Sequence, residues 1–367
     1  MSKLYKPSQN FTTLLAFSPS VLSFNFTDKF ILVKKNKINH FFLFILLVLF
    51  SQTGFTQKIT AADLKKLRAK QDTLSEYSMY LNTDSLPEDR MIADSAFTKT
   101  LVRALQIKNS FYFPFDSVLG VSKLYAPDTS FRIITWNISF DDYYARQKGA
   151  IQFPTTDGSL KLLPLRDVSE FTNKPQDSVR SRSNWIGAIY YNMVKTQHKG
   201  KNYYTLFGFD NNNAMSSMKW IEVLTFNESN EPVFGGPFFS YAKDSIPQPA
   251  RYRFNIEFKK GARVLVNYID DLQMILVDHL VSDNNNANPD LPWTFIPDGD
   301  QEGFKWENGK WLHIDKVFTF KLQDGQAPVG DPLLDPKGNR DEKKLQEKTD
   351  KNKSKENNGK IPVNYDN

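Results

Sequence analysis

YRFNIEFKKGARVLVNY, Tyr252 to Tyr268, decides the class of fold. Tyr252, Phe254, Ile256 and Phe258 alternate with polar residues. After Lys259-Lys260-Gly261, Ala262, Val264, Val266 and Tyr268 keep the same alternation. Successive side chains of a strand point to opposite faces, so each arm buries one face, and the stretch predicts an antiparallel hairpin. Working outward, FRIITWNISF (Phe131 to Phe140), Asp271 to Val281 and Val317 to Leu322 read as further strands. Asp157-Gly158 and Lys199-Gly200 stand between apolar runs, as hairpin turns do. Asn308-Gly309 separates Phe304 and Trp306 from Trp311 and His313, which is the signature of a type I′ hairpin. Residues 110–330 therefore predict a mainly β domain, an antiparallel sandwich or a barrel-like body, with nothing to decide between the two.

Upstream the period changes. Residues 57–109 predict two helices. Thr60 can cap the first, along which Leu64, Leu67, Leu74 and Leu81 recur. Ser85-Leu86-Pro87-Glu88 reads as a capping box for the second, whose apolar stripe is Ala93, Phe97, Leu101 and Ala104. Residues 1–56 read as a leader. Lys34, Lys35 and Lys37 precede the apolar run 41–50, and SQTGFTQ follows, which is the order of a secretory signal with cleavage near Gln57. The run is too short to span a bilayer. No transmembrane segment is expected after cleavage, although retention as a membrane anchor is the competing reading. The signal itself predicts a translation start near Leu32 or Val33. Residues 331–367 are rich in Lys, Asp, Asn and Glu without periodicity, which predicts a disordered tail.

The composition narrows the function classes. Aromatics make up 14% of the 367 residues, which favours strands. There is no Cys, so disulfides, thiol nucleophiles and Cys-held metals are excluded. The net charge of +6 suggests nucleic acid until it is located. Lys3, Lys6, Lys29, Lys34, Lys35 and Lys37 stand against Asp28 alone in residues 1–56. Residues 57–330 hold 32 basic and 32 acidic residues, so the body has no net charge with which to track phosphates, and no nucleic-acid partner is expected.

YYTLFGFDNNNAMSSMKWIEVLTF (Tyr203 to Phe226), PVFGGPFF (Pro232 to Phe239) and EGFKWENGKWLHIDKVF (Glu302 to Phe318), with the signal ending in SQTGFTQ, resemble a group of uncharacterised exported proteins of Bacteroidota-type bacteria. The likeness covers about residues 57–335. It implies export and a shared architecture; the expected location is the periplasm or the outer membrane. No activity comes with it, so it supplies no catalytic residue.

Candidate chemistry is thin. Beyond the leader there are three histidines, His198, His279 and His313, and no HExxH, GxSxG or phosphate-cradling glycine loop. Asp298, Asp300 and Glu302 recur at alternate positions before Gly303, like the opening of an EF-hand loop, and are the candidate ligands of a structural Ca²⁺. Gly309 stands where the closing Glu belongs; Glu307, Asp283 and Asp290 are the nearest substitutes. A solvated turn leading into a hairpin is the plainer reading. Asp141-Asp142 and Asp270-Asp271 offer carboxylates for glycoside hydrolysis, yet neighbours on a strand point apart. Trp136, Trp185, Trp220, Trp293, Trp306 and Trp311 suit core positions as well as sugar platforms. DNNNA occurs at Asp210–Ala214 and Asp283–Ala287, which turn chemistry alone explains. The sequence thus predicts a non-enzymatic envelope module that binds an envelope protein or a glycan, with a carbohydrate-active or other hydrolase as the alternative. It discriminates them by one feature. Acids converging in a deep cleft favour the enzyme, and a filled interior without such convergence favours the module.

Overall fold

The computed structural model describes residues 58–141, 144–284, 288 and 290–318, with scattered positions between 341 and 353. The expectations for the leader 1–56 and for most of the tail 331–367 lie outside the described residues. Several of the scattered positions, Lys343 and Lys353 among them, have helical backbone. No helix among the described residues is long and apolar enough to cross a membrane.

Two helices, Ala61–Thr83 and Pro87–Leu105, open the body. Leu67, Leu74 and Leu81 are buried on the first, and Ala93, Phe97, Leu101 and Ala104 on the second, as the spacing predicts. The capping box does not form. Leu86 takes the cap position in an extended conformation without a side-chain bond, because Pro87 occupies the first helical position.

The first sheet is an antiparallel meander of β1 (Ser122–Tyr125), β2 (Arg132–Ser139), β3 (Ala145–Phe153) and β4 (Lys161–Arg166). The second contains β5 (Arg180–Ser181), β6 (Ile189–His198), β7 (Lys201–Asp210), β8 (Ser216–Phe226) and β9 (Pro232–Phe234), in the order β5-β9-β8-β7-β6. After β10 (Phe239–Ser240) and β11 (Arg253–Lys259) come β12 (Val266–Ile269), β13 (Met274–Ser282), β14 (Phe295–Glu307) and β15 (Lys310–Ile314). The third sheet runs β10-β15-β14-β13-β12, with β10 parallel to β15 and the other pairs antiparallel.

The second sheet is the middle layer. Tyr204, Leu206, Trp220 and Leu224 pack on Phe131, Ile133 and Ile151 of the first sheet. The intervening Phe207, Ile221 and Val223 pack on Ile275, Val277, Phe304 and Trp311 of the third. β7 and β8 are therefore apolar on both faces, which explains the unbroken run YYTLFGF. The outer face of the first sheet meets the helices through Phe97 and Trp136, whose rings lie 5.3 Å apart edge to face. Trp136 Nε1 also donates to Asp94 at 3.0 Å. The sequence left sandwich or barrel open; the fold is three open sheets stacked face to face.

Lys199-Gly200 and Asn308-Gly309 join antiparallel neighbours, all four residues with positive φ, as type I′ turns require. The Tyr252–Tyr268 hairpin does not form. β11 pairs with β8 and β12 with β13, so the two arms belong to different sheets. The cause lies in β8, eleven residues long, whose outer edge β9 covers only from Leu224 to Phe226. The rest of that edge, Ser216 to Glu222, is free to take β11. Gly261, at φ +83°, still makes the predicted turn, but the chain then crosses to the third sheet. The closing strand Val317–Leu322 is also absent where it is described: Val317 and Phe318 have no strand backbone, and the remainder lies outside the described residues.

Two buried arginines fix irregular segments. Arg132 bonds Gln152, Tyr125 and the carbonyls of Ser110 and Phe113, and its guanidinium lies within 5.8 Å of the Phe111, Phe115 and Tyr125 ring centres. Arg253 pairs with Glu222 at 2.7 Å and donates to the carbonyls of Pro175, Ser178 and Phe234. It fastens β11 into the free edge of β8.

Candidate functional site

Where β11 leaves the second sheet, the crossing segment 260–265 leaves an open cleft of about 610 Å³ between that sheet and the third. The size is that of a small-ligand pocket. Phe209 and Phe258 form its apolar wall, and Lys219, Lys260, Arg263 and Asp278 are its charged groups. Alternation along β8 dictates the position of Lys219: it shares the face of Ile221 and Val223, and so points toward the third sheet.

Lys219 Nζ donates to the Val264 carbonyl at 2.6 Å and lies 5.3 Å from the centre of the Tyr191 ring. Burial lowers its pKa, and the field of Asp278 opposes that shift. Lys260 donates to the Asn211 carbonyl, the Asn211 side chain and the Asn213 carbonyl, which uses all three of its hydrogens. Burial lowers its pKa too, against the pull of Asp210. Arg263 is exposed. Among the described residues, none of these three cations forms an ion pair. Asp278, the only acid of the wall, accepts from Leu265 N at 2.7 Å and Gln301 Nε2 at 3.1 Å, which fixes it to the frame.

The Ca²⁺ candidates Asp298, Asp300 and Glu302 lie on β14, the first two in the irregularity where its pairing with β13 shifts register. They do not converge; each carboxylate meets a different basic side chain. Asp298 bonds His279 at 2.9 Å, Asp300 bonds Lys316 at 2.5 Å, and Glu302 bonds His313 at 3.1 Å. Asp283 pairs with Lys259 at 2.6 Å. Among the described residues no group of three or more His, Asp or Glu is arranged to hold a metal ion.

Among the described residues His313 is the most enclosed histidine. Its side chain is 5% exposed, with Asp244 at 2.9 Å on Nδ1 and Glu302 at 3.1 Å on Nε2. Burial works against protonation, but Glu302 and Asp244 outweigh it, and the imidazole sits above its ordinary value of 6.5. Asp210, first residue of the first DNNNA, is pushed up to about 6 by burial, with Asp167 adding to the shift and bonds from Asn212 N and Gln147 opposing it.

The other candidates stay apart. Asp270 and Asp271 are exposed in the β12–β13 turn, and Asp141 accepts from Tyr144 N at 2.8 Å; Asp142 lies outside the described residues. Trp136, Trp185, Trp220 and Trp311 are core residues, and Trp306 packs on Tyr203 and Trp311. The sequence reading passed over Lys219 and Asp278. The available signal was a charge inside a mostly apolar strand, Lys219 in MKWIEVLTF and Asp278 in MILVDHLV.

No family model matches the chain, and neither a curated protein nor a solved structure is significantly similar to it.

Proposed function

We propose that the chain is a non-catalytic binding module of the bacterial envelope, exported by its leader and working in the periplasm or at the outer membrane. The ligand seat is the cleft beside Lys219. One observation carries this reading: the charged groups converging on the cleft are cations, and its single acid is held by neutral donors of the frame. Hydrolysis by paired carboxylates needs two acids about 5–10 Å apart across a bond, an arrangement this wall lacks. The interiors between the sheets are filled with side chains, which supports a scaffold that presents a surface site. Export is supported by the leader and by the likeness to exported Bacteroidota-type proteins. A glycan or an envelope protein fragment is the expected class of partner.

The test is native mass spectrometry of the purified chain after incubation with a soluble envelope-glycan digest. A discrete added mass, lost in Ala262→Trp, which fills the cleft, is the expected result. Shortened glycans in the supernatant would establish the hydrolase instead. An added mass that persists in the filled variant would put the ligand elsewhere.

A further inference from the structure

We infer that the cleft binds an oxyanion, a carboxylate or phosphate carried on a small ring-sized body, with Lys219 and Arg263 as the binding groups. The inference deepens the binding-module reading and rests on it.

Lys219 and Lys260 are partly withdrawn from water, which is unfavourable for a charged group unless a counter-charge is near. Lys260 has its three hydrogens on oxygens of the Asn211–Asn213 turn, so it adds positive field and no free donor. Lys219 has only one bonded oxygen, the Val264 carbonyl. An ammonium has three hydrogens, so two remain for a ligand. Arg263 follows on the same crossing segment with its guanidinium exposed, and a guanidinium forks onto carboxylate or phosphate. With Asp278 counted, the wall carries three positive charges and one negative. A neutral ligand leaves that imbalance in place; a carboxylate reduces it, and a phosphate cancels most of it. Phe209 and Phe258 then offer an apolar surface for the body that carries the anion.

The chemistry fits an acidic sugar and a sugar phosphate equally. D-glucuronate, D-glucose 6-phosphate and D-glucose share one ring and differ at C6 as carboxylate, phosphate and hydroxymethyl. NMR-detected titration of the purified full chain at low ionic strength compares all three, on wild type, Lys219→Met and Arg263→Gln. At least one anion is expected to bind ten-fold or more tightly than glucose, and the better of the two identifies the head group. Lys219→Met should weaken that anion at least ten-fold while the melting temperature changes little, because Lys219 is half-buried, holds one carbonyl and forms no ion pair among the described residues. Arg263→Gln should weaken it without moving the melting temperature. Glucose binding as tightly as the anions overturns the oxyanion assignment and leaves the binding module standing. Anion affinity unchanged in Lys219→Met, or no binding by either anion, overturns the assignment as well. Conversion of any probe to product overturns the binding-module reading itself.

Discussion

Arg253 is the part of the frame whose removal has the clearest consequence. Its side chain is 0% exposed, and that of its partner Glu222 is 3% exposed. Glu222 also accepts from the Tyr190 hydroxyl, to which Trp185 Nε1 donates at 2.7 Å. Arg253→Met removes the guanidinium and leaves the Glu222 carboxylate buried without its counter-charge. It also strips a donor from the carbonyls of Pro175, Ser178 and Phe234. Breaking a buried pair by removing one partner costs about 3–5 kcal/mol. For a body of this size that is roughly 6–20 °C of melting temperature. Pairing Arg253→Met with Glu222→Gln removes the stranded charge and keeps an acceptor for Tyr190. The double variant should therefore recover part of the loss, so the two effects are not additive. Urea unfolding followed by tryptophan fluorescence measures all four proteins. A loss below ~1 kcal/mol for Arg253→Met, or strict additivity, would refute the argument that this pair fastens β11 to β8.

Three further outcomes follow from the charged groups. His313 has a folded pKa above 6.5, so its contribution is fully present below that value and fades as pH rises through the folded one. Melting curves from pH 5.5 to 8.5 should show wild type losing its advantage over His313→Gln as pH rises; a constant difference contradicts the Asp244–His313–Glu302 pairing. Asp210, with a carboxyl raised to about 6, opposes folding once ionised, from its unfolded value near 3.8 upward. Asp210→Asn should raise the melting temperature by a few degrees at pH 7.5 and give no gain at pH 4; a loss at pH 7.5 refutes this. Millimolar Ca²⁺ should leave the melting temperature unchanged, because Asp298, Asp300 and Glu302 are each engaged by a separate side chain, His279, Lys316 and His313. A rise that Asp300→Ala abolishes would restore the Ca²⁺ site.

Local features were legible in the sequence because local rules govern them. The Lys199-Gly200 and Asn308-Gly309 turns, the buried stripes of the two helices and the strand at Phe131–Phe140 all rest on spacings within a dozen residues. What failed was pairing. Tyr252–Tyr268 alternates as a hairpin does, yet its partners are set by the long uncovered edge of β8, some thirty residues away in sequence. Asp298, Asp300 and Glu302 looked like a shared site because their spacing before Gly303 matches the opening of an EF-hand loop. Their partners, His279, Lys316 and His313, come from three other places in the chain. Lys219 was hidden for the same reason. Its strand reads as core, and only the third sheet, brought in by residues 260–278, turns that position into the wall of a cleft.

The central claim is that this stack of sheets presents a cationic cleft that holds a ligand without transforming it. Amide chemical-shift mapping of the full chain with the better of glucuronate and glucose 6-phosphate tests it most directly. The account predicts shifts concentrated at residues 209–219 and 258–265, saturable and salt-sensitive, with the ligand unchanged in the same tube. Shifts centred on His313 or on Asp298–Glu302, or a ligand spectrum that turns into product, would contradict it.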